Sequence, residues 1–270
     1  MSLIKFLLAP TKALNLHMVK KIIFYLKFLS QGTNKYNIHS PMVHDFIENI
    51  LDNSIKYYSF IGIEHVRSLL LKQNKAIKLK DLGAGSKSIK SSRSTINFLA
   101  KKVQSRPEKA QILFRMVSFF QKKNILEIGT SLGLTTAYLS KANKDGKVTT
   151  IEGDPNVFSL AQKNFKTLKL KNIEIINQPF DQIIPQLLKN KFDLIFFDGN
   201  HSKEATLRYF YWLVEHANED SIFIFDDIYW SKEMKQAWEV ICTFDKVMLS
   251  LDIFSFGIVF FLKIDGKDVI

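Results

Sequence analysis

Residues 124–133 read NILEIGTSLG, and this stretch decides the fold. Its first five residues are mostly apolar and predict a buried strand, and a helical stretch begins directly after the second glycine. Gly129 and Gly133 let the backbone turn tightly and approach a ligand, while the helix points its first amides at the same place. The stretch therefore predicts a strand–loop–helix unit that binds a small ligand.

The same rhythm continues along the chain after residue 107. We predict strands followed by helices, and then two strands joined only by a loop. The predicted strands are 124–128, 147–152, 173–177, 192–197, 221–225, 244–249 and 257–262, and the predicted helices are 134–142, 155–168, 180–188 and 202–216. This alternation is typical of a doubly wound, mostly parallel seven-stranded α/β sheet of Rossmann-like type with an antiparallel edge hairpin.

The chain before residue 107 has a different pattern, of helices without intervening strands. Helices are predicted at about 16–29, 41–52 and 63–73, separated by polar turns. We therefore expect an N-terminal helical extension over 1–106 and a ligand-binding domain over 107–270. The first helix carries several lysines, so two interpretations stay open: packing on the catalytic domain, which we favour, or contact with a membrane surface.

Composition narrows the class of protein. The net charge is +12 over 270 residues, but the basic residues are spread along the chain without the aromatic and glycine pattern of an RNA-binding sheet. We therefore do not expect a nucleic-acid partner, whereas a homodimer is compatible with the composition. Cys242 is the single cysteine, which excludes an internal disulfide and predicts a cytoplasmic location.

A second loop supports the ligand site. Glu152 ends the second predicted strand 23 residues after Gly129, where a carboxylate can accept hydrogen bonds from both hydroxyls of a ribose, and Gly153 follows it. The first loop has the spacing GxxxG rather than the GxGxxG of dinucleotide sites. Glu127, inside the first strand, suits a cationic sulfonium ligand with an ammonium group better than a diphosphate.

Acidic side chains follow two further strands. Asp198 comes directly after the fourth strand, and Asp226 and Asp227 end the fifth, so the sheet should bring the three carboxylates together. Such oxygen ligands suit Mg²⁺ or Ca²⁺. The alternative is that Asp226 or Asp227 caps the next helix. His201 follows Asp198 by three residues and could act as a general base near neutral pH.

These motifs resemble those of class I S-adenosylmethionine-dependent methyltransferases, over roughly residues 107–263. The Gly-Thr-Ser form of the loop, with the later Asp198 and Asp226-Asp227, is similar to the small-molecule O-methyltransferase branch that includes catechol and caffeoyl-CoA methyltransferases. The resemblance implies S-adenosylmethionine as cofactor and methyl transfer to an oxygen, or a nitrogen, of a small acceptor. The cofactor-binding residues it implies are Glu127, Gly129, Thr130, Ser131, Gly133, Glu152, Gly153, Phe180 and Asp198.

The resemblance also implies catalytic roles and one departure. Phe180 would lie against the adenine. His201 stands where the catechol branch has the lysine that takes the proton from the attacking hydroxyl. Asp198 is the second catalytic residue that we expect. Metal-dependent members carry an Asp-Asn pair after the fifth strand, whereas this chain has Asp227 at the Asn position, which adds charge and puts metal use in doubt.

Two other functions and one other loop are alternatives to this interpretation. An NAD-type oxidoreductase would need a third loop glycine, and a non-catalytic cofactor-binding protein would bind the cofactor without turnover. The upstream stretch 81–86, DLGAGS, also looks like a methyltransferase glycine loop. It lacks a good preceding strand, a good following helix and an acidic strand end at the expected distance, so we place the cofactor at 124–154.

Overall fold

The computed structural model describes residues 24–26, 40–52, 54–55, 57–79, 93–102 and 105–261, with Arg93 and Lys102 described by their backbone alone. Contacts divide the chain into two units, Met1–Asn37 and Ile38–Ile270. Most of the predicted first helix and the whole 81–86 loop lie outside the described residues. The second unit contains every strand reported below.

A seven-stranded sheet forms the centre of the second unit. Its order is β5-β4-β3-β6-β7-β9-β8, and all neighbours are parallel except β7–β9 and β9–β8. The strands are β3 (Asn124–Ile128), β4 (Lys147–Ile151), β5 (Ile173–Ile176), β6 (Leu194–Phe197), β7 (Ile222–Asp226), β8 (Leu249–Asp252) and β9 (Phe256–Phe260). This arrangement confirms the predicted doubly wound sheet with its antiparallel edge.

Helices connect the parallel strands, as predicted. Upstream of the sheet, a short antiparallel pair joins β1 (Ala76–Lys78) and β2 (Arg93–Thr95). The helices are α1 (Pro41–Phe46), continued by a π-helical turn (Ile47–Leu51), α2 (Ser59–Leu71), α3 (Ile96–Lys102), α4 (Pro107–Phe119), α5 (Leu134–Ala142), α6 (Pro155–Thr167), α7 (Phe180–Leu187), α8 (Lys203–Val214) and α9 (Lys232–Cys242). No helix among the described residues is long and apolar enough to cross a membrane.

Within the second unit, α1 and the π-helical turn pack into the same core as the sheet. Phe46 and Ile50 are almost fully buried and share one apolar cluster with residues of the sheet such as Ile125 and Ile224. On α2, Ile63 shares a second cluster with residues of α4 and α5. Residues 38–106 thus belong to one compact unit with the sheet, and the boundary at 106/107 stays a prediction about organisation.

Two details of the sequence prediction were wrong. The first strand of the hairpin was expected at 244–249 but is Leu249–Asp252, because residues 244–247 close a turn through the Val247 amide and the Phe244 carbonyl. The helix α4 was not predicted. Its N-terminal end reaches the edge of the sheet that holds the functional residues described next.

The strand order reverses beside β3. From β3 the chain moves outward through β4 and β5, and then returns to build β6 and β7 on the other side of β3. In open α/β sheets ligands bind at such a reversal, outside the carboxyl ends of the strands. The predicted cofactor loop directly follows β3 and therefore lies at this position.

Candidate active site

The loop after β3 requires both of its glycines. Gly129 has φ of 110°, and a Cβ there would collide with the carbonyl of Asp198, where β6 ends. Gly133 has φ of 77°, and a Cβ there would collide with the ring of Phe165 on α6. The glycines therefore serve close packing between neighbouring elements as well as the turn into α5.

Thr130 and Ser131 link this loop to β4. The Thr130 amide donates to the Ile151 carbonyl, and its hydroxyl lies 2.6 Å from that of Thr150. The Ser131 amide donates to Oε2 of Glu152 over 2.9 Å. Thr130 is therefore fully engaged within the protein, whereas the Ser131 amide fixes the carboxylate expected to meet a ribose.

Glu152 lies at the end of β4, as predicted. Its Oε1 accepts from the Asp154 amide over 2.9 Å, so each carboxylate oxygen receives a hydrogen bond from the backbone. Burial raises the pKa of this carboxyl to about 7, although both amide hydrogen bonds oppose the rise. Gly153 continues the turn, and Asp154 caps α6 by accepting from the first two free amides of that helix.

Glu127 is a buried carboxyl in the middle of the sheet. Its Oε2 accepts hydrogen bonds from the hydroxyls of Thr136 and Thr150, the latter over 2.7 Å. Its Oε1 is buried and has no hydrogen-bond partner among the residues that the structure describes. Burial raises the pKa of Glu127 to about 8. A buried acceptor left over in this way can receive a donor from a ligand.

Phe180 begins α7 and lies against the β6 end. A Cβ at Gly199 would collide with the Phe180 ring, and the ring packs edge-to-face on Tyr209 with centroids 6.1 Å apart. Asp181, the neighbouring candidate for the adenine amino group, accepts from Arg208 over 2.8 Å and from Tyr209 over 3.2 Å. Phe180 is thus fixed in place beside the cofactor loop.

Asp198, His201 and Asp226 lie together at the carboxyl ends of β6 and β7. One ligand atom of each lies within 4.8 Å of the others, and Nε2 of His201 is 3.6 Å from Oδ1 of Asp198. Burial, and next the charge of Asp226, raises the pKa of Asp198 well above its usual range, and the two carboxyl groups share a hydrogen bond. One proton is therefore held between them.

His201 is placed by the strained turn after β6. Asn200 has φ of 51°, a left-handed conformation that asparagine tolerates, and the turn ends where Ser202 caps α8. The imidazole is 27% exposed and lies near the ring of Trp230, with centroids 6.3 Å apart. A partly exposed imidazole beside a carboxyl pair can take a proton from a bound hydroxyl.

A largely buried lysine completes this cluster. Lys109, in the first turn of α4, forms an ion pair with Oδ1 of Asp226 and a second with Oδ1 of Asp227 at 3.3 Å. Its ammonium also lies 5.1 Å from the centroid of the Phe256 ring. Burial disfavours the charged lysine, but the charges of Asp226 and Asp227 outweigh burial and hold its pKa above the usual range.

Sequence reasoning missed Lys109, although a signal was present. On α4, Leu113, Met116 and Val117 form a buried stripe, and Lys109 lies one turn before Leu113 on the same face. A lysine that continues an apolar stripe either extends its side chain so that the ammonium reaches solvent, or forms a buried ion pair. The acidic strand ends downstream favoured the second case.

The predicted trio of metal ligands is only partly brought together. Asp198 and Asp226 are neighbours, and His201 rather than Asp227 joins them. Asp227, with φ of 49°, is held by Lys109 instead. An ion bound to the Asp226 carboxylate would lie within roughly 7 Å of that ammonium, where repulsion costs about 5 kcal/mol at an effective dielectric constant of 20. The ammonium of Lys109 therefore competes with a divalent cation for the Asp226 carboxylate.

The central part of the chain matches a known family. Residues 126–228, from β3 to just past β7, match the family model described as a methyltransferase domain. This stretch of the chain is therefore similar to a methyltransferase domain. Two curated relatives agree: it is 31% identical over 127 residues to a catechol O-methyltransferase of Niastella koreensis and 27% identical over 123 residues to one of Mycobacterium tuberculosis.

The two curated relatives align with only part of this chain. Each alignment covers 45% of this chain and 57% or 55% of the relative, so the chain spans little more than half the length of the curated relatives it matches. The methyltransferase domain coincides with the part of the sheet that carries Glu127, Glu152, Asp198 and Asp226.

Solved structures share the fold of the methyltransferase domain and its surroundings. An O-methyltransferase from Bacillus cereus in complex with SAH aligns with a TM-score of 0.55 at 17% identity, over 82% of this chain and 97% of that one. An O-methyltransferase from Streptomyces achromogenes in complex with SAM, involved in tomaymycin synthesis, gives 0.54 at 17% identity, over 77% and 100%. At this identity the likeness shows the fold.

Proposed function

We propose that this protein transfers a methyl group from S-adenosylmethionine to a hydroxyl of a small organic acceptor. The observation that carries the proposal is the pair of carboxyls at the reversal of strand order, Glu127 and Glu152, joined by a glycine loop inside a methyltransferase domain. Catechols are the first acceptors to test, because two curated relatives are named catechol O-methyltransferases.

Three side chains would hold the cofactor. The unpartnered Oε1 of Glu127 suits its ammonium group, the carboxylate of Glu152 suits its ribose hydroxyls, and the ring of Phe180 suits its adenine. When bound, S-adenosylmethionine supplies an electrophilic methyl group on a sulfonium. The protein must then align an acceptor oxygen with it and remove one proton.

His201 is the residue we assign to the proton. Its imidazole is partly exposed beside the cofactor loop, so it can reach the hydroxyl of an acceptor. The carboxyl pair of Asp198 and Asp226 shares one proton and carries one negative charge, which stabilises the imidazolium that forms. His201 thus acts as general base, and Asp198 steadies its charge.

Calorimetric titration with S-adenosylhomocysteine tests the cofactor assignment. Glu152→Ala should weaken binding by about 1–3 kcal/mol, or roughly 5- to 150-fold, because hydrogen bonds to a charged acceptor are lost. Glu174→Ala on β5 is the matched control, since that carboxylate is half exposed and pairs with Lys147. Tighter binding of NAD, or equal affinity in the two variants, would reject the site.

Turnover separates an enzyme from a cofactor-binding scaffold. Release of S-adenosylhomocysteine is measured against a panel of catechols and other phenols. His201→Asn should lower kcat by about 10²–10⁴-fold, the range for loss of a general base, with little change in cofactor affinity. Cofactor binding without turnover across the panel would favour the scaffold.

A further inference from the structure

The carboxylate cluster already contains a cation of its own. The Lys109 side chain is 19% exposed, and its ammonium forms ion pairs with Asp226 and Asp227 from one position. It comes from a helix 117 residues earlier in the chain, and α4 packs into the core that covers the sheet. The ammonium therefore belongs to a side chain that the packed helix α4 holds in the site, and not to a mobile surface side chain.

Charge balance explains why a lysine belongs there. Asp198, Asp226 and Asp227 bring three carboxyl groups to this edge of the sheet, and the ammonium of Lys109 balances part of their negative charge. That remaining charge can be matched by the sulfonium of the cofactor or by the imidazolium of His201. A divalent ion added to this set would lie close to the ammonium, and the two cations would repel each other.

Two ion pairs hold the lysine in the cluster. Its ammonium contacts carboxylate oxygens of both Asp226 and Asp227. Asp227 stands next to it and adds the carboxylate that a second ion pair requires. The extra acid and the buried lysine thus form one matched pair.

We propose that the ammonium of Lys109 takes the place of a divalent cation in this cluster, so that Lys109 positions the carboxylates and methyl transfer needs no metal. The inference rests on the proposed function only in assigning methyl transfer to this site. The occupation of the cluster by Lys109 stands on the ion pairs alone. Lys109 is a positioning residue, because it acts through Asp226 and Asp227.

Binding of Mn²⁺, followed by electron paramagnetic resonance, tests the substitution without any acceptor. Lys109→Met removes the ammonium and leaves the Asp198, His201 and Asp226 donors, which converge closely enough to hold an ion. Lys109→Gln is the second neutral variant. Its amide can donate hydrogen bonds to the carboxylates, which should help the variant to fold. Lys109→Arg keeps the charge. Lys122→Met removes another buried lysine, which bonds the Asp220 carbonyl beyond the amino ends of the strands.

We expect no saturable Mn²⁺ binding by the wild type, Lys109→Arg or Lys122→Met. A folded Lys109→Met or Lys109→Gln should bind Mn²⁺ at least about tenfold more tightly than the wild type. Saturable binding by the wild type that Asp226→Asn abolishes would overturn the inference. Equal lack of binding in the wild type and both neutral variants would overturn it too, because Lys109 would then exclude nothing.

The cofactor titration keeps the two proposals apart. If the neutral variants gain Mn²⁺ binding while S-adenosylhomocysteine fails to bind the wild type, the proposed function fails and the role of Lys109 in the cluster stands. If the wild type binds both ligands, the function stands and the role of Lys109 fails. Wild-type turnover on a phenol should survive chelation by EDTA, and its loss with recovery on adding Mg²⁺ would overturn metal independence.

Discussion

Glu127→Gln should make the protein more stable at alkaline pH. The folded protein holds the Glu127 carboxyl protonated up to a pKa of about 8, because burial disfavours its charge, whereas the unfolded chain releases that proton near 4.5. Glutamine has the same shape and can accept from the same two threonine hydroxyls. It cannot ionise, so it avoids the cost of charging a buried group.

The magnitude follows from the difference between the two pKa values. The separation is about 3.5 units, and each unit corresponds to about 1.4 kcal/mol. Between pH 4.5 and 8 the folded protein holds a proton that the unfolded chain has lost, so this group lowers stability as the pH rises. The wild type should lose about 1.4 kcal/mol per pH unit relative to the variant, with a ceiling of about 5 kcal/mol above pH 8.

Urea unfolding at pH 5.5, 6.5, 7.5 and 8.5 measures the effect. The free energy of unfolding of each protein is taken from the transition midpoint and slope, and the difference between them is plotted against pH. Glu152 also has a raised pKa, but it is present in both proteins, so its contribution cancels in that difference. Glu174→Gln removes a half-exposed carboxylate and serves as the control.

A constant difference between wild type and Glu127→Gln across this range would refute the reasoning. It would mean that Glu127 ionises equally readily in the folded and unfolded states. The ligand side offers a second check, because an ammonium placed beside Oε1 favours the charged carboxylate. S-adenosylhomocysteine should then release protons on binding the wild type at pH 7, but fewer on binding the variant, as calorimetry in two buffers reveals.

Two further changes test the frame of the site. Gly129→Ala should cost about 3 kcal/mol or more, because φ of 110° disfavours any side chain and the new Cβ meets the Asp198 carbonyl; an unfolding midpoint equal to the wild type would contradict this. Asp154→Ala should cost about 0.5–2 kcal/mol by leaving two amides of α6 uncapped, while Asp154→Asn should recover most of the loss in the same urea titration.

The sequence predicted the sheet well because local patterns specify it. Strands β3 to β7 are short apolar runs separated by clear helical stretches, so their order along the chain could be predicted. The same pattern predicted that Glu152 and Asp198 lie at the carboxyl edge of the sheet, because each directly follows a strand. Asp198 and Asp226 lie together as expected, whereas Asp227 does not join them. Each of these features depends on residues close in sequence and on the general rules of parallel sheets.

The features that escaped prediction depend on distant partners. The ion pair of Lys109 with Asp227 joins residues 118 apart, and no local pattern tells which lysine meets which carboxylate. The grouping of His201 with Asp226 likewise required the turn at Asn200 and the register between β6 and β7. The hairpin strand was misplaced because Asp245 and Lys246 lie in a turn that the Val247 amide and the Phe244 carbonyl close.

The position of β9 has a consequence for how the protein is made. This strand follows all the others in sequence, yet it lies between β7 and β8 and its five residues are buried. During synthesis β7 must wait as an open edge, with Phe223 and Phe225 prone to pair with other chains, until residue 260 has left the ribosome. Because Phe256 also lies under the Lys109 ammonium, the carboxylate cluster is finished at that same late step.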